Sequence, residues 1–257
     1  MEEIKGLLID LDGVIYNDSE LITGAKDSIC WLREKNIPFR FITNTTTKSR
    51  KTLQNKLESF NIKVKPEEIF TTVYAAVRYI RKSGKEKCHL LLKEDAKKEF
   101  YEFNLEAKDP DFVVVGDLGE DLSFGKVNIA FQKLLSGAEL IALQKNPYWL
   151  SDKGYTIDAG ALVAMLEFAA GKKGQIMGKP SPHFFALALN DLNLPSENVV
   201  MIGDDLDSDI LGANRMGMRG VLVRSGKFLP ADLKRTDIKP WKTIDNISNL
   251  YQIFTLD

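Results

Sequence analysis

Gly6-Leu7-Leu8-Ile9-Asp10-Leu11-Asp12-Gly13-Val14-Ile15 is an apolar run that delivers two aspartates, two positions apart, into a glycine turn. A short apolar run bounded by turn residues reads as a buried strand. Successive strand side chains point to opposite faces, so Asp10 and Asp12 leave the strand end on the same side, where one site can hold both. Gly13 lets the chain turn without a Cβ clash. Alone, the pattern also reads as a capped strand entering a surface turn, because Asp and Gly favour turns. The rest of the chain has to decide.

Working outward, short β-branched runs alternate with helical patterns almost from end to end, as in βα units around a largely parallel sheet. Strands are expected over Leu7 to Asp10, Pro38 to Thr43, Cys88 to Leu92, Phe112 to Val115, Glu139 to Leu143, Asn198 to Ile202 and Gly220 to Val223. Helices are expected from about Ala25 to Lys35 with Thr23 as its cap, around Leu53, Leu57 and Phe60, over Ala161 to Ala170, and after Ser181-Pro182. The stretch from Val73 to Gly174 holds strands and helices of its own and closes on Gly171-Lys172-Lys173-Gly174, which reads as a hinge. The expected organisation is a core from residues 1–72 and 175–257, with 73–174 inserted as a second α/β domain.

The 257 residues carry a net charge of -1, with 44% hydrophobic and 28% charged residues. That composition is globular and offers no basic field for nucleic acid or an anionic membrane. No apolar stretch is long enough to span a bilayer and no signal core opens the chain, so the cytoplasm is the expected compartment. Cys30 and Cys88 are too few for a disulfide framework and lack metal-ligand spacing.

Two further apolar runs end in polar side chains. Phe39-Arg40-Phe41-Ile42 leads to Thr43-Asn44, and Val199-Val200-Met201-Ile202 leads to Gly203-Asp204-Asp205-Leu206-Asp207-Ser208-Asp209. Open parallel sheets bind ligands at the carboxyl edge, where loops and helix N-termini converge. Four aspartates within six positions repel one another unless a cation neutralises some of them, and a hard divalent ion suits such oxygens. Between these runs lies Gly178-Lys179-Pro180, where the proline biases Lys179 away from helix. Thr45 to Thr47 are expected to cap a helix.

A carboxylate pair, a hydroxyl with an amide, a lysine and an acidic cluster, in that order, resemble the haloacid dehalogenase-like phosphohydrolase superfamily throughout. Thr43-Asn44 and Gly178-Lys179-Pro180 look like the motifs of its branch with a cap domain inserted between them. The resemblance implies a doubly wound, mostly parallel Rossmann-like core with an inserted α/β cap. It also implies a phosphatase acting on a small phosphorylated molecule through an aspartyl phosphate on Asp10. Asp12 would serve as general acid and then general base. Thr43, Asn44 and Lys179 would bind phosphate oxygens. Mg²⁺ would be held by Asp10, the Asp12 carbonyl and Asp204, while Asp209 would orient Lys179 or a metal-bound water. Capped relatives can also pair through their caps, which makes a homodimer an expectation.

Asp205 departs from the family pattern, where a neutral residue is common. Tyr148 and Trp149 are expected in the core of the insert and Asp158 as a helix N-cap, with their neighbourhood as the alternative seat of specificity. A receiver-type signalling protein uses the same residue types, but its acceptor aspartate lies mid-chain and it has no insert. A phosphoryl-binding protein without turnover is the other alternative.

Overall fold

The computed structural model describes residues 3–151 and 154–255. The chain opens with β1 (Gly6–Asp10), a hairpin of β2 (Tyr16–Asn17) and β3 (Glu20–Leu21), α1 (Ala25–Glu34), β4 (Phe39–Thr43), α2 (Arg50–Ser59) and β5 (Ile69–Thr71). Next come α3 (Thr72–Ser83), β6 (Cys88–Leu91), α4 (Glu94–Lys97), β7 (Phe112–Val115), α5 (Phe124–Leu135), β8 (Glu139–Ala142), β9 (Tyr148–Ser151), β10 (Gly154–Ile157), α6 (Ala159–Ala170) and β11 (Gln175–Ile176). The last part contributes α7 (Pro182–Leu192), β12 (Val199–Gly203), α8 (Leu211–Arg215), β13 (Arg219–Val223) and β14 (Lys242–Ile244).

Two compact units emerge, one of residues 1–43, 53–70 and 179–257, the other of 44–52 and 71–178. Among the described residues, the first is built on a six-stranded sheet in the order β14-β13-β12-β1-β4-β5. The pairs from β14 through to β4 are parallel. Parallel strands covered on both faces need apolar side chains in both directions. That is why all five residues of β1 and of β12 are buried.

One face of β1 packs Leu7 and Ile9 with Phe41, Val200, Ile202, Ile29 and Leu32 of α1, and Leu53 and Leu57 of α2. Leu8, Ile42 and Met201 are buried on the alternate positions. Register then fixes the site: Ile9 pairs with Ile202 and Asp10 with Ile42. From β1 the chain winds outward through β4 to β5, whereas β12, β13 and β14 wind outward on its other side. The reversal between β1 and β12 makes their carboxyl ends the crevice at which open sheets bind ligands.

The second unit is described by itself. Its four-stranded sheet, β11-β8-β7-β6, is parallel and is covered by α5 and α6 around Val113, Val115, Val127, Leu134, Leu162 and Leu166. Asp158 accepts the Ala159 N–H at 2.6 Å and caps α6, as expected.

Several local expectations need correction. Gly24, at φ 77°, precedes α1 in place of a Thr23 side-chain cap, and a Cβ there would lie 2.4 Å from the Ser248 Cβ. Ser49, whose Oγ accepts the Thr52 N–H at 3.2 Å, serves the start of α2, while the Thr46 Oγ1 accepts from Asp117 N. The Gly171–Gly174 stretch is tied down: Gly171 closes α6 at φ 63°, Lys172 Nζ donates to the Leu134 and Ala138 carbonyls, and Gly174 N donates to Glu167. Tyr148 and Trp149 lie on the antiparallel β9–β10 hairpin and are 58% and 48% exposed, so neither is core. A two-stranded ribbon has too few neighbours to bury its aromatic side chains. No helix among the described residues is long and apolar enough to cross a membrane.

Candidate active site

Asp10 ends β1 almost fully buried, with Oδ1 accepting the Leu11 N–H at 2.8 Å and Oδ2 lying 2.8 Å from Lys179 Nζ. Beyond it the chain turns tightly: Gly13, at φ 83°, donates its N–H to the Tyr16 carbonyl, and Ile15 N donates to Leu11 O. Only glycine enters that backbone region cheaply. A Cβ on Gly13 would also stand 2.0 Å from Asp204 Oδ2. The turn therefore brings the β1 and β12 loops into contact.

Lys179 precedes α7 and is 3% exposed, and its Nζ is 2.8 Å from Asp10 and 2.7 Å from Asp209 Oδ1. The two carboxylates raise its pKa against the opposing effect of burial. The short strand before it, β11, belongs to the second sheet, so Lys179 is delivered by the loop into α7 and not by a core strand end. Asp209 is fully buried in a single π-helical turn over Leu206–Ile210, where its Oδ2 accepts the Asp205 N–H at 3.3 Å. Gly203 makes room for it, since a Cβ there would overlap the Asp209 side chain at 2.3 Å.

Asp204 follows β12 and is 2% exposed. Its Oδ2 takes the Lys227 N–H at 2.6 Å, while its Oδ1 is buried with no hydrogen-bond partner among the described residues. Burial first, and the Asp10 charge second, push its carboxyl up to about 7. Asp209 is raised well above the carboxylate range, foremost by burial, with Asp10, Asp204 and Asp205 adding to it. Asp12 is exposed but closely surrounded; desolvation and Asp10 raise its carboxyl against Lys56, Lys179 and Lys227, which lower it.

Ligand oxygens of Asp10, Asp204 and Asp209 lie within 4.8 Å of one another. Lys179 is the buried cation among the described residues, so three buried carboxylates face one buried ammonium. An orphaned carboxylate oxygen in such a place costs free energy unless a cation takes it. Hard oxygen donors and the residual negative charge fit Mg²⁺.

Thr43 ends β4, 2% exposed and one residue past the Asp10–Ile42 pair, at the same sheet edge. Asn44 is half-buried and groups with the second unit, where Gly178 approaches so closely that a Cβ would lie 2.8 Å from Asn44 Oδ1. Asp205 finds a structural task. Its Oδ1 accepts the N–H groups of Asp207 and Ser208 at 2.9 and 3.1 Å, capping the acidic turn, and Lys227 helps hold its carboxyl below the usual range.

Sequence reading missed the loop after β13. Ser225 Oγ donates to the Gly13 carbonyl at 2.7 Å, Gly226 lies against Gly13, and Lys227 holds Asp204. Lys56, whose ammonium stands 3.6 Å from the centre of the Tyr16 ring, was missed as well. A signal for the loop was present: Gly220 to Val223 was read as a strand of the same sheet, so its carboxyl end had to reach the same edge.

A family model described as haloacid dehalogenase-like hydrolase matches residues 7–106, and a second, HAD-hydrolase-like, matches 176–250. The chain is 34% identical to human (Homo sapiens) phospholysine phosphohistidine inorganic pyrophosphate phosphatase, over 95% of this chain and 92% of that protein. It is 35% identical to haloacid dehalogenase-like hydrolase domain-containing protein 2 of Mus musculus, over 95% and 93%. Its fold is similar to that of p-nitrophenyl phosphatase from Archaeoglobus fulgidus, with a TM-score of 0.91, 26% identity and coverage of 98% and 100%. The chain belongs to the haloacid dehalogenase-like hydrolase family.

Proposed function

We propose that this protein is a Mg²⁺-dependent phosphatase that hydrolyses a small phosphorylated molecule through an aspartyl phosphate on Asp10. The observation that carries the reading is the junction at the β1/β12 switch point. There Lys179 bridges Asp10 and Asp209, and Asp204 keeps one oxygen unpartnered beside them. The names of the relatives, phosphatases of p-nitrophenyl phosphate and of phosphoamino acids and pyrophosphate, agree with it.

An Asp10 oxygen attacks phosphorus and the bond to the leaving oxygen breaks, with Asp12 giving that oxygen its proton. The raised pKa of Asp12 suits a carboxyl that must start protonated. In the second half Asp12 takes a proton from water, the water oxygen attacks phosphorus, and the bond to Asp10 breaks to regenerate the carboxylate. The physical obstacle is an anion approaching an anion, worth about 4 kcal/mol at ~4 Å and an effective dielectric near 20. Lys179 offsets part of it, and Thr43 and the Asn44 N–H donate to phosphate oxygens where charge develops. Mg²⁺, held by the Asp10 and Asp204 carboxylates and the Asp12 carbonyl, supplies the remaining positive charge when bound. Asp209 holds Lys179 in place.

The insert, residues 73–174, is read as the cap that excludes water and chooses the leaving group. The exposed aromatic pair Tyr148 and Trp149 suits that task better than Asp158, whose carboxylate is spent on capping α6.

Steady-state turnover of p-nitrophenyl phosphate tests the reading. Many turnovers per chain are expected with Mg²⁺, silence in EDTA, and recovery when Mg²⁺ is restored. Saturable binding of phosphate without turnover would instead establish a binding protein, and full activity in EDTA would remove the metal. A panel of sugar phosphates, phosphoglycolate, nucleotides, pyrophosphate and phosphoamino acids then identifies the leaving group.

A further inference from the structure

The Ser225-Gly226-Lys227 loop is fastened to the acidic centre at three points. Ser225 Oγ donates to Gly13 O at 2.7 Å, and the Lys227 N–H donates to Asp204 Oδ2 at 2.6 Å. Gly226, at φ 66°, is packed so closely that a Cβ would stand 2.1 Å from Asp204 Oδ2 and 2.5 Å from Gly13 Cα. A backbone fixed this firmly restricts where the lysine side chain can go. Its ammonium lies 3.4 Å from Asp205 Oδ2, yet the side chain remains 68% exposed. Asp205 is itself committed to two backbone N–H groups, so the Lys227 charge is not required to satisfy it.

We infer that the Lys227 ammonium is a resident counter-charge of the Asp204–Asp209 turn, which stands in part for the divalent cation and sets how tightly that cation binds. This rests on the proposed metal site. A fixed positive charge beside a carboxylate cluster repels an incoming cation, and because this one is largely in solvent, the effect is modest and screened by salt.

Calorimetric titration of the full chain with Mg²⁺ alone, without substrate, reads the effect directly. Lys227→Met is expected to bind Mg²⁺ about threefold more tightly than wild type and Lys227→Glu about tenfold, both differences shrinking in high salt. Lys227→Arg should bind as wild type does. A merely structural lysine predicts no such order, because its loss would loosen the turn and weaken binding. Unchanged or weaker Mg²⁺ binding by both the Met and Glu variants, in a wild type that binds Mg²⁺ and turns over substrate, overturns this inference and leaves the phosphatase reading standing. A wild-type chain that binds no Mg²⁺ overturns both.

Discussion

Asn in place of Asp10 is expected to abolish turnover, by on the order of 10⁴-fold or more, while the protein stays folded. The amide is a poor nucleophile toward phosphorus, and groups that act as a unit in catalysis show losses of this size when the nucleophile goes. Stability should survive, because Lys179 keeps Asp209 at 2.7 Å and the substitution relieves one of three buried carboxylates competing for one ammonium. Circular dichroism and thermal unfolding check the fold, and p-nitrophenyl phosphate turnover checks the chemistry. Near-wild-type activity in a folded Asp10→Asn variant would remove Asp10 from the nucleophile's role.

Lys179→Met should be the most destabilising single change in the site when no metal is added. Methionine fills much of the same volume but leaves Asp10, Asp204 and Asp209 buried without their cation. Removing one partner of a buried ion pair typically costs about 3–5 kcal/mol. The loss should depend on pH in a defined direction. Asp204 is pushed up to about 7, above its unfolded value, so the folded state holds the extra proton between roughly pH 4 and 7. The stability contributed by this group is complete below that window and is lost as pH rises through it. Wild type itself should therefore lose stability in EDTA as pH rises from about 4 to 7. Because Lys179 lowers the Asp204 carboxyl, its loss extends that proton uptake upward, so the Lys179→Met deficit from this group grows as pH rises past about 7, and added Mg²⁺ should recover part of it. Denaturant unfolding across pH measures this. A variant as stable as wild type at pH 8 in EDTA would show that Lys179 does not offset those charges.

Much of the site was legible because its key residues follow a strand or precede a proline. Asp10, Thr43 and Asp204 could be placed because an apolar run with both faces buried ends abruptly, and a parallel sheet sends all such ends to one edge. Lys179 was legible from its proline, but which sheet the short strand before it, β11, joins was not. Two residues of β11 carry no pattern that says which sheet they join, and that choice is made by pairing with β8. Lys227 escaped notice because a lysine after Ser-Gly looks like any solvated loop residue, and its main-chain N–H, which ties the loop to Asp204, is a contact that no side-chain pattern reports. Tyr148 and Trp149 were misplaced for a related reason. Aromatic residues in a short run look like core, and only the finding that β9 pairs with β10 alone, among the described residues, leaves them exposed.

The covalent intermediate is the claim on which the rest depends. Acid-quenching the protein during turnover of p-nitrophenyl phosphate with Mg²⁺, reducing it with borohydride and sequencing the peptide around Ile9-Asp10-Leu11 tests it most directly. Homoserine is expected at position 10, formed from an acyl phosphate there and absent from samples without substrate. Unmodified Asp10 in a protein quenched at full turnover, with the phosphoryl group recovered on another residue, would contradict it.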